Sequence, residues 1–135
     1  IYLMLQQDKA EDYVVATGVT TEIRDFVRLT FRELGIELEF KGEGADETAV
    51  IASCSNPDFQ LKKGKEVLAV DPRYFRPTEV ELLIGDPTKL KKQLNWEPKY
   101  DLKGLVNDMI WSDIKLMQKE QYLKDGGFKI MNYYE

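Results

Sequence analysis

The segment of residues 12–40 constrains the fold more than any other part of the sequence. It begins with DYVVATG, a dense β-prone run that ends at a glycine and predicts a strand covered on both faces. Apolar residues then recur at helical spacing over residues 20–34, with Thr20 or Thr21 as the expected cap and Gly35 as the expected stop. IELEF follows and alternates like a strand. This order of elements indicates an α/β fold.

The middle of the chain predicts further strands and a short helix. AVIA and EVLAVD are strand candidates joined by a long polar connection, which suggests an irregular hairpin. Residues 82–84, LLI, are a short strand candidate. Asp86 is a suitable N-cap with Pro87 at the first helical position, and Leu90 and Leu94 then lie on one helical face.

The last third of the chain predicts one long amphipathic helix that begins after Asp101 and breaks at Gly126 and Gly127. Trp96 and Trp111 are expected in the core. The apolar positions of the long helix form a stripe that is expected to face the core: Leu102, Leu105, Val106, Met109, Ile110, Ile114 and Met117.

Composition excludes several classes of function. The 135 residues fit one domain. The net charge is -5, so the chain lacks the broad basic surface that is typical of nucleic-acid-binding proteins. No apolar run approaches the roughly 18 residues of a membrane span, and the first residues lack the pattern of a signal peptide. Cys54 is the only cysteine and there is no histidine, so we expect a cytoplasmic protein without an internal disulfide or a histidine base. The absence of an initiator Met suggests a fragment.

Arg76 and Glu79 are the strongest candidate site residues. Pro77 pushes the preceding Arg76 toward extended geometry. A guanidinium can donate paired hydrogen bonds to phosphate oxygens, and a carboxylate can accept from two ribose hydroxyls. Three residues apart, the two side chains could span a nucleoside diphosphate, although a surface arginine beside a glutamate is the simpler interpretation.

Three blocks of the sequence resemble one enzyme family. LMLQQDKAEDYVVATG, RYFRPTEVELLIGDPTK and LNWEPKYDL are similar to the carboxy-terminal part of the GDP-mannose 4,6-dehydratases, a branch of the extended short-chain dehydrogenase/reductases. The resemblance implies that residues 1–35 end a Rossmann domain, with its terminal strand and helix. It implies that residues 36–135 form a small α/β substrate-binding domain with a tail.

The resemblance also implies a substrate, a cofactor and site residues. Such enzymes convert GDP-mannose to GDP-4-keto-6-deoxymannose with tightly held NADP. Arg76 and Glu79 match the family's RPTE motif, in which the arginine faces the diphosphate and the glutamate faces the ribose. The chain has neither a G-x-G-x-x-G fingerprint nor the catalytic Tyr-x-x-x-Lys pair in its expected setting, so we expect no catalytic residue and no NADP site here.

Two alternatives remain open from the sequence. A related nucleotide-sugar reductase or epimerase would share the fold, although the FRPTEV block favours the dehydratase. A subunit-interaction module would use the aromatic tail of residues 124–135. We also expect a homo-oligomer. If the sequence is cut at Ile1, the strand around Val14 has lost its sheet neighbours, and its apolar faces need another partner.

Overall fold

The structure is a computed structural model that describes residues 1–76, 78 and 82–130. Its three strands form one antiparallel sheet in the order β1-β2-β3, accompanied by helices, which confirms the mixed α/β class. The division at residue 35 stays a prediction. The elements in chain order are α1 Tyr2–Leu5, α2 Ile23–Glu33, β1 Ile36–Lys41, β2 Thr48–Cys54, β3 Glu66–Ala69, α3 Thr88–Leu94 and α4 Leu102–Asp125.

The sheet is a meander in which β2 is the central strand. Ile36 pairs with Cys54 at one end of β1, and Lys41 pairs with Thr48 at the other, beside the connecting loop. The register shifts once in each pairing, as a bulge would cause. The predicted strands of the irregular hairpin are confirmed, and β2 is longer than the AVIA run.

Helix α2 confirms the predicted stop and contradicts the predicted cap. Its N-cap is Glu22, which makes no side-chain cap hydrogen bond, so the expectation of Thr20 or Thr21 is wrong. The Thr20 hydroxyl instead donates to the Leu83 carbonyl oxygen at 3.4 Å. Gly35 has φ +72°, the left-handed conformation that commonly ends helices, and its N–H donates to a carbonyl of the last turn at 2.9 Å.

Residues 12–18 do not form the predicted strand. No backbone hydrogen bond joins them to another segment among the described residues, and a strand without a paired neighbour has no ladder to hold it. Val14 and Val15 are more than half exposed, in contrast to the expected cover on both faces. Residues 82–84 also do not form their predicted strand, and their side chains are also more than half exposed. They lie close to residues 12–18, because a Cβ on Gly85 would meet Ala16.

Helix α3 starts one residue later than predicted. Pro87 takes the N-cap position, and the Asp86 carboxylate accepts hydrogen bonds from the backbone N–H and the hydroxyl of Thr88. Asp86 therefore still satisfies a free N–H of the first turn. Leu90 and Leu94 are buried, as predicted.

Helix α4 has the predicted beginning and end, but only part of its apolar stripe is buried. The Asp101 carboxylate accepts from the Gly104 N–H at 2.7 Å, and Gly126 is the C-cap. Val106 is buried near α2, whereas Met117 is 69% exposed and Trp111 is also exposed, so their predicted burial is wrong. Most side chains in the distal half of this helix are exposed.

The core is small. Ile36, Ala49 and Ile51 bury one face of the sheet, and α2 packs against both β1 and α4. The Asn107 amide donates to the Glu33 carboxylate and ties α4 to α2. Thr48 of β2 pairs with Ala69 of β3, so the β1–β2 loop and the end of β3 lie at the same end of the sheet.

Candidate functional site

The chain reaches Arg76 through a hydrogen-bonded turn that follows β3. The Val70 N–H donates to the Glu47 carbonyl oxygen at 3.1 Å, and the Tyr74 N–H donates to the Asp71 carbonyl oxygen at 3.0 Å. The Arg73 guanidinium binds the Asp71 carboxylate at 2.6 Å. Hydrogen bonds from Arg73 lower the pKa of the Asp71 carboxyl below its usual range. The turn is therefore held at both ends before the chain reaches Arg76.

The two predicted site residues have different outcomes. Arg76 is exposed and makes no ion pair with another described residue. Glu79 lies outside the described residues, so its proximity to Arg76 is untested. Tyr74 and Phe75 are both exposed, at 77% and 41%, and the edge of the Phe75 ring lies near Gly44 in the β1–β2 loop.

A cavity of about 350 Å³ lies between the start of α2 and the sheet. Val27, Phe40 and Leu68 line its apolar part, and Arg24 and Glu47 line its polar part. The charged pair is close, because Nη2 of Arg24 lies 2.7 Å from Oε1 of Glu47. The cavity reaches the segment that leads to Arg76, since Val70 also lines it.

Sequence reasoning missed the pairing of Arg24 with Glu47. In the sequence, Glu47 is one of several carboxylates in a polar, glycine-bearing stretch, and no motif there places it in a pocket. The available signal was the spacing of Arg24 and Arg28, which puts both on one face of α2. Their guanidinium carbons lie 5.8 and 4.7 Å from the centre of the Phe40 ring, respectively.

A larger cavity of about 590 Å³ lies between residues 17–21 and the start of α4. Its charged members are Asp101, which already caps α4, and Lys103. Within residues 1–76, 78 and 82–130, no group of three or more acidic or cysteine side chains is arranged to hold a metal ion. Across the same residues, no helix has both the length and the apolar character needed to cross a bilayer.

Comparison with known proteins decides the family. The family model described as GDP-mannose 4,6 dehydratase matches residues 1–109. The chain belongs to the GDP-mannose 4,6-dehydratase family. The match covers the helices and strands up to the first turns of α4 and includes the whole turn around Arg76.

Individual members of the GDP-mannose 4,6-dehydratase family match across nearly the whole chain. The GDP-mannose 4,6-dehydratase of Vibrio cholerae serotype O1 is 46% identical over 130 residues, which are 96% of this chain and 35% of that protein. Its counterpart in Yersinia enterocolitica is 43% identical over the same shares. That of Drosophila melanogaster is 41% identical over 88% of this chain and 28% of its own length. The chain thus spans about a third of the length of these relatives.

Proposed function

We propose that these residues form the substrate-binding part of an enzyme that converts GDP-mannose to GDP-4-keto-6-deoxymannose with loss of water. The observation that carries this proposal is the family match over residues 1–109, which contains the RPTE block at residues 76–79. The relatives reported above are all named dehydratases, and none favours a reductase or an epimerase.

Arg76 is proposed to bind the diphosphate. Its side chain is exposed at the end of a turn that hydrogen bonds hold at Val70 and Tyr74, so the backbone that carries it is partly ordered before ligand binds. A planar guanidinium can donate two parallel hydrogen bonds to phosphate oxygens. Glu79 is proposed to accept hydrogen bonds from the ribose hydroxyls.

Binding of the GDP moiety would promote a reaction that takes place on the hexose ring, away from the bound nucleotide. Contacts to parts of the substrate that do not react can hold the hexose ring in the geometry that the reaction requires. We propose NADP as the cofactor of the full-length enzyme. The chain contains no G-x-G-x-x-G sequence, which binds the pyrophosphate of a dinucleotide at a helix N-terminus, so we propose that NADP binds outside these residues. A cytoplasmic location remains a prediction.

The proposal is tested by measuring the affinity for GDP, by calorimetry, in the full-length gene product. Arg76→Ala and Glu79→Ala each remove a hydrogen bond to or from a charged group, which is worth about 1.5–3 kcal/mol and thus about a ten- to hundredfold loss of affinity. Arg32→Ala is the control. Arg32 is also an exposed arginine, but it lies in the last turn of α2, at the end of the helix away from the cavity. Affinities within twofold of the unmodified protein for both site variants would refute the assignment.

We also propose that the protein is a homo-oligomer. The exposed Val14, Val15 and Met117 support this, because large apolar side chains that are exposed at a surface can be buried against a partner. Light scattering over a dilution series measures the assembly directly, and a monomer at every concentration would contradict the proposal.

A further inference from the structure

We infer that the ion pair between Arg24 and Glu47 is a positioning device that holds residues 70–76 and thereby sets the place of Arg76. The inference rests on the proposed function, in which Arg76 binds the diphosphate. It assigns to Arg24 and Glu47 no contact with substrate. Their role would be to act through the chain that carries the binding residue.

The first step is the strength of the pair itself. Both Nε and Nη2 of Arg24 lie 2.7 Å from Oε1 of Glu47, and the Glu47 side chain is only 17% exposed. Such a shielded carboxylate is less screened by solvent than those of the other ion pairs of this helix. The Phe40 ring lies beneath Arg24 and Arg28, so the guanidinium of Arg24 has an aromatic surface as well as a carboxylate to hold it.

The second step links Glu47 to the segment that carries Arg76. The side chain of Glu47 binds helix α2, while its backbone carbonyl oxygen accepts from the Val70 N–H at 3.1 Å. Val70 is the first residue after β3, and the turn that leads to Arg76 begins at Asp71. One residue therefore connects the helix to the start of that turn.

The third step concerns the other end of the segment. A Cβ added to Gly44 would lie 3.4 Å from the Phe75 ring, so Phe75 packs on the loop that Glu47 terminates. This loop is itself tightly closed. A Cβ on Gly42, which has φ +78°, would lie 2.3 Å from the Asp46 carbonyl oxygen. A shift of the loop would therefore move both the Val70 contact and the Phe75 contact.

These contacts predict a local effect when the ion pair is lost. The β1–β2 ladder does not depend on the Glu47 side chain, so the sheet should persist. Without the ion pair, the β1–β2 loop would no longer be held against α2. Residues 70–76, which contact this loop, would then sample more positions. Because ordering them again on binding costs free energy, affinity for the diphosphate should fall, with KM affected more than kcat.

The experiment compares Glu47→Gln with Glu37→Gln in the full-length gene product. The control is matched, because Glu37 pairs with Arg32 of the same helix at 3.0 Å but lies at the far end of β1 from the loop. Hydrogen exchange of the backbone amides of residues 70–76 and affinity for GDP are measured for both variants. Glu47→Gln should speed that exchange about fivefold or more and weaken GDP binding about five- to tenfold, whereas Glu37→Gln should change neither.

The Arg76→Ala variant separates the two possible failures. If Arg76→Ala weakens GDP binding and Glu47→Gln leaves exchange or affinity unchanged, the positioning role is refuted and the proposed function stands. If Arg76→Ala has no effect on binding, the proposed function fails, and the positioning role fails with it because residues 70–76 then place no binding group. Equal effects of Glu47→Gln and Glu37→Gln would also overturn the inference, since they would indicate a general loss of packing.

Discussion

Replacement of Ile51 by alanine tests whether the small core under β2 holds the sheet that presents the candidate site. Ile51 is 1% exposed and pairs with Leu38 of β1. Its backbone N–H donates to the Lys65 carbonyl oxygen at 2.9 Å, and its carbonyl oxygen accepts from the Gly64 N–H at 2.8 Å. The side chain thus sits where both neighbouring segments meet the central strand.

The expected cost follows from the carbon atoms removed. Truncation deletes three buried carbons, at about 0.8 kcal/mol each, and leaves a cavity that adds to the loss. We therefore expect the free energy of unfolding to fall by about 3–4 kcal/mol. With a slope of about 1.5 kcal/mol per molar urea, the unfolding midpoint would fall by about 2 M.

The assay is urea unfolding of the purified protein, followed by circular dichroism. Ile23→Ala is the control, because it removes the same atoms from a side chain that is 81% exposed. It should change the free energy of unfolding by no more than about 0.5 kcal/mol. A loss below about 1 kcal/mol for Ile51→Ala, or equal losses for both variants, would refute the assignment of the core.

Two further predictions concern helix caps. Asp101→Ala removes the acceptor for the Gly104 N–H and should lower the free energy of unfolding by about 1 kcal/mol. The control is Asp108→Ala, on the exposed face of the same helix, which should change this free energy little. Equal losses for the two variants in urea unfolding would contradict the cap. Hydrogen bonds from the side chain and then the backbone of Thr88 lower the pKa of the Asp86 carboxyl. Its contribution to stability is therefore present above the unfolded-state pKa of about 3.9 and is lost as pH falls through the lower folded-state pKa. Asp86→Asn should accordingly make the fall of the unfolding midpoint between pH 5 and pH 2 shallower, and a slope equal to that of the unmodified protein would exclude this role.

The exposed apolar segments illustrate how local pattern and tertiary structure differ. Residues 12–18 have the composition of a buried strand but have no strand partner in the part of the chain that the structure describes. The same holds for Leu82 and Leu83, which are exposed despite their strand-like sequence. Composition predicts what surface a segment would bury, whereas the neighbours that would cover it are a tertiary property.

Elements with local sequence signals were predictable without the structure. Residues within a few positions of each other determine three such features. They are the stop of α2 at Gly35, the cap of α4 at Asp101 and the alternation of β1. The RPTE block was also visible in the sequence and gave the family resemblance that the family model confirmed.

Contacts between residues that are distant in the chain could be identified only from the folded structure. Arg24 and Glu47 are 23 positions apart and join because α2 folds onto β1 beside the loop that ends at Glu47. The extent of burial along α4 was likewise undecided by its apolar stripe, since burial depends on which element packs against each turn. Hydrogen bonds within a turn are encoded by adjacent residues, but ion pairs and cores between elements depend on packing that no short stretch of sequence specifies.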